Sequence, residues 1–282
     1  MKKETLSLFI FLATIIAITT PLVILTSGAT TDTFSVSTTV GNSAPQIVWV
    51  EAPTETPNAG TTKVITIDFN VTDNNSVTDI DTASSSANIT KAGEADRLST
   101  ACWSVSNSSD QKTQRIRCNI TIYYYDADGA WDICVYATDG TASDSDCTSS
   151  DLTMNSLDDI SVVETSLSFS GSPGEQDVAA TENPLTINNT GNQVYTGIDL
   201  TAYNLTGRGD TIGATNFAVN TTASGGPGDQ LSHGSPVTIT GASLNKGATA
   251  TEELYFYLDI PSGITATTYN SVSNWVIDPT GN

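Results

Sequence analysis

Ile65-Thr66-Ile67-Asp68-Phe69-Asn70-Val71-Thr72 alternates apolar and polar residues without a break. Successive side chains of a strand point to opposite faces, so this period of two describes a strand with one buried and one solvated face. The pattern recurs at Ile116, Cys118, Ile120 and Ile122, with Arg115, Arg117, Asn119 and Thr121 pointing outward. It recurs again at Ile133, Val135 and Ala137. Turn-rich segments separate these runs: Asp73-Asn74-Asn75-Ser76, Asp126-Ala127-Asp128-Gly129 and Thr138-Asp139-Gly140. Short alternating strands between turn signals predict an antiparallel sandwich of immunoglobulin size, although the Cys…Trp…Cys spacing of true immunoglobulin domains is missing.

Working outward, residues 143–159 are rich in Ser, Asp and Thr with few large apolar residues, and read as a linker. A second strand set follows. Leu167 and Phe169 open it, and Pro184-Leu185-Thr186-Ile187 and Ile198-Asp199-Leu200 continue it. Its clearest member is Leu254, Phe256, Leu258 and Ile260, with Tyr255, Tyr257 and Asp259 opposite. Trp275 and Ile277 read as the closing strand, and residues 225–235 as a Gly/Ser-rich loop.

The N-terminus has a different character. Met1-Lys2-Lys3-Glu4 precedes an apolar run over residues 6–25, and Ser27-Gly28-Ala29 places small residues at −3 and −1 of a cut after Ala29. This is the layout of a secretory signal. The run is also long enough to span a bilayer as a retained anchor, with Thr19, Thr20 and Pro21 interrupting it. A third reading is a pilin-type leader cut near Lys3, but the Lys-Lys-Glu-Thr junction lacks the expected small residue. No second apolar run follows, and residues 275–282 carry no sorting tail. Export is therefore expected, with membrane contact only through this segment.

About 250 residues follow residue 29, enough for one large or two ordinary domains. Apolar content of 38% is enough to bury a core. Ten basic residues against thirty-one acidic give a net charge of −21. Phosphate contacts need clustered Lys and Arg, so nucleic acid is excluded as a partner. Four cysteines, Cys102, Cys118, Cys134 and Cys147, predict two disulfides in an exported chain. Three pairings are possible; sequential pairing, Cys102–Cys118 and Cys134–Cys147, closes two short loops and is the expected one. No Cys-x-x-Cys pair exists and His233 is the single histidine, which argues against a zinc site.

Two segments of the first half, residues 71–80 (Val-Thr-Asp-Asn-Asn-Ser-Val-Thr-Asp-Ile) and 123–133 (Tyr-Tyr-Tyr-Asp-Ala-Asp-Gly-Ala-Trp-Asp-Ile), resemble modules of uncharacterised secreted proteins of archaea, notably small-genome lineages. In the second half, Asn189-Thr190-Gly191-Asn192 and residues 258–269 are similar to the Ig-like modules of archaeal and bacterial surface proteins. The resemblance implies an archaeal cell-surface protein. Its expected architecture is all-β, with two Ig-like antiparallel β-sandwich domains in tandem after a hydrophobic signal or anchor helix. The expected boundaries are 1–29 for the signal or anchor, 30–44 for an N-terminal strand or linker, 45–150 for a sandwich with two disulfides, and 151–282 for a second sandwich.

Candidate sites follow from residue chemistry. Eight Asn-x-Ser/Thr sequons occur, at Asn70, Asn74, Asn88, Asn107, Asn119, Asn188, Asn204 and Asn220. Chance in a chain rich in Asn, Ser and Thr also yields sequons, but exported context favours occupancy. Asp126, Asp128 and Asp132 flank a glycine turn and form a possible calcium loop; Asp73, Asn75, Asp79 and Asp81 form another oxygen-rich loop. Neither completes an EF-hand, and turn chemistry alone also places Asp and Asn in such loops. No context around His233 marks a nucleophile and base, so no catalytic residues are assigned. Finally, Phe34, Val36 and Val40 lie on one face of an alternating strand ahead of the first domain. Such a strand can complete a neighbouring copy's sheet and so build a filament, or it can pair within its own domain or serve as a spacer. The expected function is a non-catalytic structural subunit of the cell surface that partners with itself or other surface proteins. The alternative is an adhesin recognising glycans or another cell.

Overall fold

The computed structural model describes residues 33–223 and 228–281. The predicted signal or anchor at 1–29 and the cut after Ala29 lie outside the described residues. Residues Asn42–Asn282 form one compact unit; the described residues before it, 33–41, belong to another. The compact unit is almost all β, with two hydrophobic cores, one in each half.

The first half contains β1 (Gln46–Val50), β2 (Thr54–Glu55), β3 (Thr62–Thr72), β4 (Ser86–Thr90), β5 (Arg97–Ser99), β6 (Cys102–Asn107), β7 (Thr113–Tyr123), β8 (Gly129–Thr138) and β9 (Ser143–Met154). One sheet has the order β1-β3-β7-β6 and the other β2-β9-β8-β4-β5. Their facing sides share one core: Ile67, Phe69, Ile116 and Ile120 from the first sheet, Ile89, Trp131 and Ile133 from the second. The alternation in β3, β7 and β8 thus buries one face of each strand, as expected.

β9 differs from expectation. Residues 143–154 were expected to be linker, but they form a strand antiparallel to β8, from Thr138↔Ser143 to Gly129↔Met154. The first core accordingly extends to Leu152 and Met154. Both disulfides join directly opposed residues of neighbouring strands in one sheet. Cys102–Cys118 links β6 to β7 and Cys134–Cys147 links β8 to β9.

The outer face of the first sheet buries one charge. Asp68 has no solvent access, although the alternation points it outward. Arg117 covers it with two hydrogen bonds, Nε to Oδ1 at 2.6 Å and an Nη to Oδ2 at 2.8 Å, and Arg115 pairs with Oδ2. The Arg117 hydrogen bond, aided by Arg115, holds the Asp68 carboxyl below its ordinary range.

The second half contains β10 (Ile160–Val162), β11 (Val178–Ala179), β12 (Leu185–Asn189), β13 (Gly197–Thr201), β14 (Leu205–Gly207), β15 (Asp210–Ile212), β16 (Phe217–Asn220), β17 (Asp229–Gln230), β18 (Val237–Thr238), β19 (Thr251–Leu258), β20 (Asn270–Ser271) and β21 (Val276–Thr280). Its main sheet runs β10-β12-β19-β16-β17, with β11 also on β19; β18-β13-β21 and β15-β14-β20 form smaller sheets. Ile187, Ile198, Phe217, Leu254, Phe256 and Leu258 make its core, with Trp275 edge-on to Phe217. Leu167 and Phe169 pack on this core without forming a strand.

The two halves meet at the turn after β7 and the turn after β12. Asp126 is fully buried; Arg97 donates to both of its carboxylate oxygens, at 3.1 and 2.5 Å, and Tyr123 N–H donates to Oδ2. The turn that Asp126 holds presents its own carbonyl to Asn192 of the second half. Asn192 Nδ2 donates to Asp126 O and Asn155 O, and its Oδ1 accepts from Leu157 N and Gln193 Nε2. Next to it, Gly191 passes so close to Leu157 that a Cβ would lie 2.0 Å from the Leu157 carbonyl oxygen. Gly60 N–H also donates to Thr190 O at 2.8 Å, Tyr124 Oη to Gly247 O at 3.2 Å, and Lys246 pairs with Glu94 at 2.5 Å.

Two outcomes are expected in urea unfolding. Asn192→Ala leaves two carbonyls and two donors without their buried partner and costs about 2 kcal/mol or more, and Gly191→Ala costs about 1–3 kcal/mol through the clash. Both variants are expected to separate unfolding of the two halves into distinct steps, and a single unshifted transition would refute this role. For Asp68→Asn, the loss depends on pH. A carboxyl held low contributes stability above its unfolded value, near pH 4, and loses it as pH falls through the depressed folded value. The gap between the wild type and Asp68→Asn is therefore expected at pH 7 and should close in acid.

Candidate functional site

Three features of the compact unit and the segment ahead of it carry chemistry beyond packing. The first is the segment at residues 33–45, which makes no strand. Phe34, Val36 and Val40 are 87%, 81% and 82% exposed. Apolar side chains this exposed cost solvation free energy unless something covers them.

The second feature is the pair of edges on the first sheet, β1 and β6. Each carries an irregularity, between Ile47 and Trp49 and between Ser104 and Ser106. Bulges of this kind twist an edge and limit indiscriminate pairing. Trp49 lies opposite Asn70 and Trp103 opposite Arg117, so both tryptophans stand on the outer face, 43% and 42% exposed, with the Asp68–Arg115–Arg117 clamp between them. The Arg115 guanidinium sits 5.7 Å from the Trp49 ring centroid. β6 is exposed along all but its first residue and also displays Val105. Nothing in local sequence singles out Trp49 and Trp103; their common face follows only from which strands pair.

The third feature is carboxylate-rich. The structure does not bring Asp126, Asp128 and Asp132 together. Asp126 is occupied by Arg97, Asp132 Oδ1 accepts from Ser150 N, and Asp128 is exposed with its carbonyl accepting from Lys91. Within the other predicted loop, Asp81 turns away to cap the 3-10 turn at Thr82–Ser84 through Ser84 N and Oγ. Asp73 and Asp79 instead meet Asp139 of the β8–β9 turn, with one carboxylate oxygen of each within 4.8 Å of the others. The Asp139 carboxyl is held below its ordinary range, first by the Ala142 backbone N–H, then by the Asn42 amide and the Thr141 N–H.

The sequons differ in access. Asn74, Asn107 and Asn119 are exposed, while Asn70, Asn88, Asn188, Asn204 and Asn220 are half-buried. Asn88 Oδ1 is buried without a hydrogen-bond partner, and Asn204 Oδ1 accepts from Ala214 N. His233 stacks edge-on with Tyr203, and its Nδ1 accepts from Asn204 N. A cleft of about 280 Å³ is lined by Gly60, Tyr124, Asn189, Thr190 and Ala250 and presents no carboxylate.

Among the described residues, no helix is long and apolar enough to cross a membrane. Two disulfides place the folded chain in an oxidising environment. No family model and no curated protein matches the chain.

Proposed function

We propose that this chain is a non-catalytic structural protein of the cell exterior, a tandem of Ig-like sandwiches that assembles by strand addition. The carrying observation is the exposed apolar face of residues 33–41. Phe34, Val36 and Val40 share one parity of the chain and are among the most exposed large apolar side chains of the described residues. Strand addition supplies main-chain hydrogen bonds and buries alternate side chains. The fitting acceptor is β6 of a second copy, an exposed edge that offers Trp103 and Val105. A contact between one surface of a copy and a different surface of the next does not close on itself, so repetition gives an open fibre. The disulfides and the acidic surface suit a protein that lives outside the cytoplasm, including an archaeal surface with high salt.

A second reading, an adhesin, is supported by Trp49 and Trp103 flanking two arginines on one exposed face. Aromatic rings and guanidinium groups stack on and hydrogen-bond to sugars and other flat or polar ligands.

Electron microscopy and sedimentation of the intact chain separate the two. Elongated assemblies are expected, lost on deletion of residues 33–41 or in Val105→Lys, which places a charge on the acceptor edge. A chain that stays monomeric at high concentration, and binds glycans through Trp49 and Trp103, favours the adhesin and overturns assembly. Glycan occupancy is read by mass spectrometry of native material. Modification is expected at Asn74, Asn107 and Asn119 and not at Asn88 or Asn204, whose amides face the protein. The reverse pattern contradicts the exposure argument.

A further inference from the structure

We propose that Asp73, Asp79 and Asp139 form a calcium site at one end of the first sandwich, an inference that does not rest on the assembly reading. Three carboxylates from two loops converge there, one oxygen of each within 4.8 Å of the others. Like charges gathered this closely repel unless a cation lies among them, and none of the ion pairs among the described residues involves them.

The stronger observation is the state of Asp73. It is 1% exposed, and its Oδ1 accepts the Asn75 N–H at 2.7 Å, which fixes the carboxylate plane. Its Oδ2 is buried and has no hydrogen-bond partner. A buried carboxylate oxygen without a partner is costly, and buried charges are normally paired or bound to a metal. The other two ligands leave room for the same ion. Asp79 is exposed, and its carboxylate accepts no hydrogen bond from a described residue. Asp139 is oriented by its neighbours: Oδ1 accepts from Thr141 N at 2.7 Å and Ala142 N at 2.6 Å, and Oδ2 from Asn42 Nδ2 at 2.7 Å.

The loops are held in place without the ion. Asp73 N–H donates to Lys112 O, Val77 N–H to Gln111 O and Asp81 N–H to Thr138 O. The last of these ties the loop after β3 directly to the end of β8, next to the turn that carries Asp139. The Asn75 side chain accepts from Ser43 N at 2.6 Å, so the chain entering the sandwich abuts the same cluster. An ion here would bridge three places: the entry at Asn42 and Ser43, the loop after β3, and the β8–β9 turn.

Hard oxygen ligands select a hard cation. Calcium–oxygen distances of 2.3–2.6 Å put ligands on opposite sides of the ion roughly 5 Å apart, so three oxygens within 4.8 Å of one another have the spacing of ligands that share one calcium ion. Magnesium holds its ligands closer and usually takes only one or two carboxylates, which disfavours it here. Open water positions beside the exposed Asp79 would complete the shell. Partial exposure and only three protein carboxylates point to the weak affinities of extracellular calcium modules, around 0.1–1 mM.

The test is calorimetric titration of the intact, chelator-treated chain with CaCl2, repeated with MgCl2, together with thermal unfolding in calcium against NaCl of equal ionic strength. One site of sub-millimolar to millimolar affinity is expected for calcium, at least tenfold weaker for magnesium, with Tm raised by a few degrees at saturating calcium. Asp73→Asn and Asp79→Asn are both expected to abolish the binding and the Tm shift. Asp79 is exposed, so its variant folds even if Asp73→Asn does not. A Tm that responds equally to calcium and to NaCl, or calcium binding that survives both substitutions, means diffuse attraction to an acidic surface and overturns the site.

Discussion

The buried pair of Asp126 and Arg97 is the contact on which the two halves of this molecule depend. Asp126 closes the turn after β7 by accepting the Tyr123 N–H, and Arg97 from β5 satisfies both of its oxygens. Arg97 also lies 4.4 Å from the centroid of the Tyr123 ring, so one guanidinium fixes the turn from two sides. Its own proton is held more tightly through the hydrogen bond to Asp126. A buried ion pair contributes little net stability against a well-packed apolar alternative, but removing one partner leaves the other uncompensated. Its value here is positional. It sets the carbonyl of Asp126 where the Asn192 amide reads it, and Asn192 in turn gathers Asn155 and Leu157 at the crossing between halves.

Much of the first half was legible in the sequence because its strands alternate cleanly. β3, β7 and β8 each carry four apolar residues at period two, and the structure buries those faces. β9 was not legible. Its inward positions opposite Ile133, Val135 and Ala137 are Thr148, Asp146 and Asp144, polar residues on a strand that stays half exposed, so composition pointed to a linker. The alternation also placed Asp68 outward, correctly for direction but not for environment. Two arginines from β7 fold over it, and that depends on the β3–β7 register, Asp68↔Arg117 and Asn70↔Arg115. The carboxylate cluster escaped local reading for a similar reason. Asp73 and Asp79 lie in one loop that the spacing flagged, but Asp139 comes from a turn far along the chain, and Asp81, which the spacing included, serves as a cap. Residues 126–129 stood out in the sequence as a turn and residues 189–192 through their resemblance to surface modules; in the structure Asp126, Thr190 and Asn192 lie at the crossing between the halves.

The net charge of −21 is not spread evenly over function. Lys63, Arg97, Arg115, Arg117 and Lys246 are all taken up in ion pairs, and Lys91 binds the carbonyls of Asp128 and Ala130. Six of the eight cations among the described residues are thus used within the fold, which leaves an outer surface dominated by carboxylates. Such a surface repels its own copies at low salt and less so as ions screen it. Any association between copies must therefore rest on main-chain pairing and apolar burial.

The two disulfides have a mechanical meaning. Each closes a short loop between adjacent strands, sixteen residues apart for Cys102 and Cys118 and thirteen for Cys134 and Cys147. A chain pulled from its ends would reach these crosslinks before it could peel β6 from β7 or β9 from β8. The enclosed residues would then be withheld from extension, shortening the stretched chain by about 100 Å at the reach of an extended backbone. The first half would yield less length under tension than the second, whose described residues contain no such crosslink. Under load this molecule would behave as a stiff segment joined to a more extensible one.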